Sequence, residues 1–283
     1  MITLQNNSVT LFQSNLYMTV SAVIQTEDLV VVVDPAWLPH EVEEIRNYTY
    51  TILNGRPLYI LFTHSDYDHI IGYKAFPEAI ANASEALKTK SEEGKVAVVE
   101  QIKAFDDEYY IIRGYEIAFP VVDVCAAKDG DAFVLGSTRL VFYPAPGHND
   151  DGMFTVIEPL GLLIAGDYFS NVEFPYIYFD SALYERSILK LDDIIARHDI
   201  RLLITGHGDS TDQRAEMKRR QSDSLEYIRA MRSYILAGDQ IRIDGLIANC
   251  RFPRNMRKFH KNNQLLIQKE LESRLGKDDG TML

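Results

Sequence analysis

His64-Ser65-Asp66-Tyr67-Asp68-His69 places four side chains able to ligate a metal within six residues. The segment directly follows an apolar run, Leu58 to Phe62, that reads as a buried strand. A strand ending in alternating His and Asp holds those side chains close together at a fixed pitch, which is what a metal site requires. Alone, the stretch could equally be a polar loop whose carboxylates cap nearby backbone. Three further stations favour the metal: Pro146-Gly147-His148, Gly166-Asp167 and Gly206-His207-Gly208. Each follows another apolar run and offers one more ligand at a strand end. No Ser-His-Asp or Cys-His arrangement competes for a catalytic role.

Together the stations resemble the signature of the metallo-β-lactamase superfamily: HxHxDH, then a lone His after Pro-Gly, a lone Asp after Gly, and a final His after Gly. The first station here reads HxDxDH, the other three match, and the resemblance spans roughly residues 9 to 210. It implies an αββα sandwich of two mixed sheets flanked by helices. Residues 1–210 would be the catalytic core, and 211–283 a C-terminal helical extension packed on the same domain. Carried over position by position, it implies that His64, Asp66 and His148 hold one divalent ion and that Asp68, His69 and His207 hold a second, with Asp167 bridging. A water or hydroxide shared by the two ions would be the nucleophile, and Asp68 would orient it or later take a proton. The outline is nearest the glyoxalase II-like branch, which implies a hydrolase acting on a small ester, thioester or lactone. The superfamily's lactonases have a Tyr three positions after the bridging Asp; Ser170 stands there, so that oxyanion role does not carry over.

Asp66 departs from the usual pattern, where an imidazole stands. A carboxylate makes the site harder, favouring iron or manganese relative to zinc, and its charge should raise the pKa of bound water. The di-iron branch of the superfamily, the flavodiiron proteins, has Glu at this station but carries a fused flavodoxin domain, for which this sequence leaves no room. The preferred reading is a dimetal hydrolase in which Asp66 is simply an oxygen ligand. A di-iron redox or oxygen-binding protein, a phosphodiesterase, and a module that binds metal without turnover are the alternatives.

The chain has 283 residues, 46% hydrophobic and 25% charged, an ordinary balance for a globular protein with one substantial core. The net charge of −12 argues against a broad nucleic-acid surface. Apolar runs such as Leu29 to Val33 are too short to span a bilayer, and the N-terminus lacks a signal-peptide pattern. Cys125 and Cys250 read as reduced thiols, so a cytoplasmic protein acting on a small molecule is expected. Nothing in the pattern sets an oligomeric state. Arg251, Arg254, Arg257, Lys258 and Lys261 form a basic stretch, read as a solvated face with an anion-binding patch as the alternative. His40, His198 and His260 are expected at the surface. Asp34 is expected as a turn-former or a partner of a ligand His. Tyr67, Tyr168, Phe174 and Tyr176, with Phe169 and Tyr178 nearby, are candidates to wall a substrate pocket.

The elements that must position these residues follow from the hydrophobic pattern. Val9 to Ile24 and Leu29 to Val33 read as a pair of strands turning at Glu27-Asp28. Pro39 opens a helix with acidic residues near its first turn, ended by Gly55. Residues 83 to about 110 read as surface helix and loop. Lys128 to Asp131 is a turn before strands at Ala132 to Leu135 and Arg139 to Tyr143. Met153 to Ile157 and Leu162 to Ala165 form a hairpin. Tyr184, Ile188, Leu191 and Ile195 mark a helix, and Leu202 to Thr205 a last strand. Helices are expected from Thr211 to about Ala237 and from about Asn262 to Leu275, the latter aligning Ile267, Leu271 and Leu275.

Overall fold

The computed structural model describes residues 1–278, with side chains through Arg274, so Leu275 on the expected face of the last helix lies outside the described side chains. Seven strands form the first sheet in sequence order: β1 (Ile2–Gln5), β2 (Val9–Gln13), β3 (Val20–Gln25), β4 (Val30–Val33), β5 (Leu58–Leu61), β6 (Ile80–Ser84) and β7 (Val124–Ala126). The first four pair antiparallel and the last three join in parallel. The second sheet runs β12-β11-β10-β9-β8, from β8 (Asp131–Leu135), β9 (Thr138–Pro144), β10 (Met153–Glu158), β11 (Leu162–Ile164) and β12 (Leu202–Ile204). Only β11 and β12 are parallel in that sheet.

Strand alternation builds three stacked cores. In β4, Val31 and Val33 face the second sheet, whereas Val30 and Val32 face helices, and all four are buried. The inter-sheet core joins Leu11, Ala22, Ile24 and Leu61 to Leu140, Phe142, Met153 and Ile164. Outside the first sheet lie α1 (Pro39–Ile52), α3 (Glu85–Lys88) and α4 (Glu92–Glu108), which bury Val42, Ile45, Leu87 and Ile102 beside Trp37 and Phe62. Outside the second lie α5 (Ser181–Arg197), α6 (Arg214–Leu236), α7 (Gln240–Gly245) and α8 (Pro253–Asp278). Their Ile188, Leu191, Met217, Ile228, Met231, Ile243 and Ile267 share one core with Val141, Phe154, Val156 and Leu163. The result is the αββα sandwich, with two mixed sheets inside two helical layers.

Several elements differ from the sequence reading. Val9 to Ile24 is not one strand but the hairpin β2-β3, broken by a loop in which Tyr17 and Met18 take positive φ. β6 and β7 escape the hydrophobic pattern because they are short, and β6 carries buried Asn82 and Ser84. α8 starts nine residues before Asn262, at Pro253, so the basic stretch occupies its first turns and the loop before it. His198 is not solvated: its ring is bonded to Glu158 at 2.7 Å and to the Tyr143 hydroxyl at 2.7 Å. His260 is buried against Tyr227, its Nδ1 2.9 Å from the hydroxyl. Both find partners at least 30 residues away in sequence, which no local pattern reveals. His40 is exposed, and Cys125 and Cys250 are free thiols. Among the described residues no helix is long and apolar enough to cross a membrane.

Because the outer face of the second sheet is covered by α5 to α8 in one continuous core, the helices after residue 211 are needed to keep Val141, Phe154 and Leu163 from water. A chain ending at residue 210 is expected to lose its cooperative thermal transition. A fragment that melts as sharply as the full chain would contradict this.

Candidate metal centre

Every candidate ligand sits just past a strand, on the same edge of the sandwich. Phe62 and Thr63 extend β5 to His64; α2 (Tyr67–Ile70) is a single turn carrying Asp68 and His69, with Asp66 at its N-cap. His148 follows β9, Asp167 follows β11, and His207 follows β12. The first sheet therefore supplies His64, Asp66, Asp68 and His69, and the second supplies His148, Asp167 and His207. The sheet ends are laced together beside them: Val20 N–H donates to the Gly206 carbonyl at 2.7 Å, and Met153 N–H to the Thr63 carbonyl at 2.8 Å.

The seven side chains converge in two groups, His64, Asp66, His148 and Asp167, and Asp68, His69 and His207; within each group the ligand atoms lie within 4.8 Å of one another. Asp167 spans both. Its Oδ2 lies 3.3 Å from His148 Nε2, 3.7 Å from His64 Nε2 and 3.3 Å from His207 Nε2, while Oδ1 lies 3.2 Å from His69 Nε2. Asp66 Oδ2 lies 3.1 Å from His148 Nε2 and 3.7 Å from His64 Nε2. Asp68 Oδ2 is 3.6 Å from Nε2 of both His69 and His207. Gly206 is required beside Asp167, because a Cβ there would run into Asp167 Oδ1 and the His69 ring.

All four imidazoles turn the same nitrogen inward, and the other nitrogen explains why. His69 Nδ1 donates to Asp34 at 2.9 Å, His148 Nδ1 to the Tyr176 carbonyl at 2.7 Å, and His207 Nδ1 to the Tyr17 carbonyl at 3.0 Å. Thr63 gives its hydroxyl proton to Asp34, so at 2.9 Å it accepts from His64 Nδ1. With the proton fixed on Nδ1, each Nε2 presents its lone pair to the centre. His64 Nε2, His69 Nε2 and Asp167 Oδ1 are buried without a hydrogen-bond partner. Buried polar atoms left unpaired and aimed at a common point are what a missing cation would satisfy.

The electrostatics agree. Burial opposes the charged imidazole, yet hydrogen bonds and charges from Asp167, Asp66 and Asp68 outweigh it. They hold His69 and His148 well above the usual histidine range, and push His207 up to about 10. Burial likewise disfavours the carboxylates, but His148 and His64 hold Asp66 well below its ordinary value, as His207, His69 and His64 do Asp167. Protons take the place of cations in such a cluster, and a metal binding there must displace them.

A family model described as the metallo-beta-lactamase superfamily matches residues 15–212. The chain belongs to the metallo-beta-lactamase superfamily. Solved structures of the superfamily share its fold at low identity. A metallo-beta-lactamase family protein of Thermus thermophilus is 19% identical, with a TM-score of 0.65 over 95% of this chain and 94% of that one. An archaeal superfamily protein of Sulfolobus tokodaii is 19% identical, with a TM-score of 0.54 over 78% and 86%. A metallo-beta-lactamase of Pontibacter korlensis is 17% identical, with a TM-score of 0.55 over 80% and 98%. No protein with a curated description matches the chain. Members of the metallo-beta-lactamase superfamily bind divalent ions, and the two His/Asp groups fit such ions by donor type, convergence and unpaired atoms.

The aromatic candidates divide by position. Tyr67 is half-buried at the site, its ring 5.3 Å from Trp37. Tyr168 is in the core, not on a pocket wall: its hydroxyl accepts from His148 N–H at 3.0 Å and donates to the Ala145 carbonyl at 2.8 Å. Tyr176 is buried and stacked on Phe259, and Phe174 stacks on Tyr227. Phe169 is also in the core, whereas half-exposed Tyr178 lies over His148 with ring centroids 4.9 Å apart. Four contributors were not singled out in the sequence. Thr63 and Asn149 flank ligands directly, and Asn149 Nδ2 donates to Asp66 Oδ1 at 3.2 Å. Their adjacency to His64 and His148 was a usable signal. Glu173, pushed up to about 7 by burial and the nearby carboxylates of Asp167 and Asp68, and the Tyr17 carbonyl had none.

Asp34 collects the Thr63 N–H and hydroxyl as well as His69, so one carboxylate orients histidines of both groups. Asp34→Ala is expected to weaken metal binding about 10–100-fold at both positions, read by chelator competition. An unchanged affinity would show that the imidazoles hold their tautomer without it.

Proposed function

We propose that the protein is a dimetal hydrolase that cleaves a small ester, thioester or lactone. The observation that carries this reading is Asp167, whose two oxygens face histidines of both ligand groups, so that two ions would be held side by side. Bound there, such a pair supplies an activated water at neutral pH and a clamp for the carbonyl oxygen as it gains charge. His64, Asp66 and His148 would hold one ion, and Asp68, His69 and His207 the other.

Within that frame Asp68 has a second task. Its Oδ2 faces His69 and His207, and Oδ1 makes no hydrogen bond within the described residues. Oδ1 is the atom placed to orient an attacking water and to receive its proton, then return it to the leaving group. Tyr178 and Tyr67 border the site and would flank the substrate. Phosphodiester cleavage is less favoured, because recognition of a phosphate backbone depends on cationic surface around the site. That agrees with the net charge of −12.

The oxygen of Asp66, where most relatives are expected to have an imidazole nitrogen, favours iron or manganese over zinc. Asn149 supports this anionic ligand by donating to its other oxygen, which keeps Asp66 charged and oriented. A di-iron redox reading uses the same ligands; optical spectra of anaerobically purified protein before and after air would reveal it.

Two outcomes test the proposal. Asp167→Ala should release both ions and lower turnover roughly a thousandfold or more, as expected for losing several kcal/mol of transition-state stabilisation. Retention of one tightly held ion would refute the bridging role. Protein purified without added metal should carry iron or manganese, and Asp66→His should shift its content towards zinc. Equal metal content in both proteins, by elemental analysis, would remove Asp66 as the selector. A panel of ester, thioester, lactone and phosphodiester substrates identifies the bond cleaved, and inactivity against all of the first three would sink the hydrolase reading.

A further inference from the structure

Helix α8 lies beyond the segment matched to the superfamily, yet one of its side chains reaches the loop that supports the metal centre. Asn263 is 1% exposed. Its Nδ2 donates to the Pro175 carbonyl at 2.6 Å, and its Oδ1 accepts from Ile177 N–H at 2.9 Å. These two bonds bracket Tyr176, whose own carbonyl accepts from His148 Nδ1 at 2.7 Å. A side-chain amide used in this way does what an adjacent β-strand would do: it fixes the peptide groups on both sides of one residue.

The amide is in turn fixed from behind. Asn263 Nδ2 also donates to the Tyr227 hydroxyl at 3.1 Å, and that hydroxyl lies 2.9 Å from His260 Nδ1. Tyr227 on α6 and His260 on α8 are both buried. None of these groups has a part in the chemistry set out above. Burying an amide, a phenol and an imidazole among apolar helices is unfavourable unless their bonds are used, and an aliphatic residue would pack the same space. What the cluster achieves is a fixed position for the Tyr176 carbonyl.

We propose that Asn263 is a positioning residue for the metal centre, holding the Tyr176 carbonyl that fixes the tautomer and aim of His148. The proposal rests on the reading of His148 as a metal ligand. It makes the ion held by His64, Asp66 and His148 depend on the C-terminal helix. The other ion does not: His69 and His207 take their Nδ1 partners from Asp34 and the Tyr17 carbonyl, on the opposite side of the sandwich.

The test uses the full chain, stripped with chelator and titrated separately with manganese and zinc. The measured quantities are the number of ions bound, the affinity of each step and the melting of the stripped protein. Wild type should bind two ions, and His148→Ala identifies the step that belongs to the first group. Asn263→Ala and Asn263→Asp should weaken that same step about 10–100-fold and leave the other within about twofold. Asp keeps the acceptor for Ile177 N–H but loses the donor to Pro175, so it carries the test if the Ala variant fails to fold. Ile267→Ala, which removes a buried apolar side chain on the same helix and none of the hydrogen bonds made by Asn263, should lower the melting temperature and leave both affinities as in wild type. Unchanged binding in the Asn263 variants would overturn the proposal, as would an equal loss in Ile267→Ala. Wild type that binds no ion would overturn the metal reading itself, a different failure.

Discussion

Three carboxylates and four imidazoles converge on one mostly buried volume at the edge of the sandwich, and this concentration of charge is the constraint that the rest of the structure answers. Without cations the carboxylates raise the affinity of His69, His148 and His207 for protons; with them, each imidazole must present Nε2 and have Nδ1 occupied. The surrounding chain is arranged to do this. Asp34, Thr63, Asn149 and the carbonyls of Tyr17 and Tyr176 each take up the outer face of a ligand. They come from loops far apart in sequence, which only the closed pair of sheets brings together.

How legible this was depended on the range over which each interaction acts. Residues that could bind metal had to stand immediately past strand ends, so the four stations could be read directly from residue types and their neighbours. The sandwich was legible for a similar reason, since Leu29 to Val33 and Leu58 to Phe62 are continuous apolar runs of the kind buried on both faces. β6 was not, because Asn82 and Ser84 face the space between the sheets and break its pattern. Tyr168 looked like a pocket residue from its place beside Asp167, yet its hydroxyl serves the backbone of His148. His198 and His260 looked solvated because their partners, Glu158 and Tyr227, are 40 and 33 residues away.

The C-terminal helices illustrate a further division of labour. The candidate ligands all precede residue 212, but most of the outer layer that covers the second sheet follows it. A core shared in this way lets a segment outside the family pattern influence the centre without contributing a ligand. It also explains why a narrow apolar face was enough for α6: it did not have to build a core alone, only to complete one.

Each ligand group draws side chains from both sheets, which also meet through apolar side chains, backbone bonds near His64 and His207, and side-chain bonds such as those from Ser137 and Thr138 to Asp28. Ions held between them would act as staples across the sandwich, so the folded state would be favoured by mass action, by about 2.7 kcal/mol when free metal exceeds its dissociation constant a hundredfold. The lifetime of the chain in the presence of proteases would thereby be tied to metal supply. A copy that never loads would be easier to digest than a loaded one.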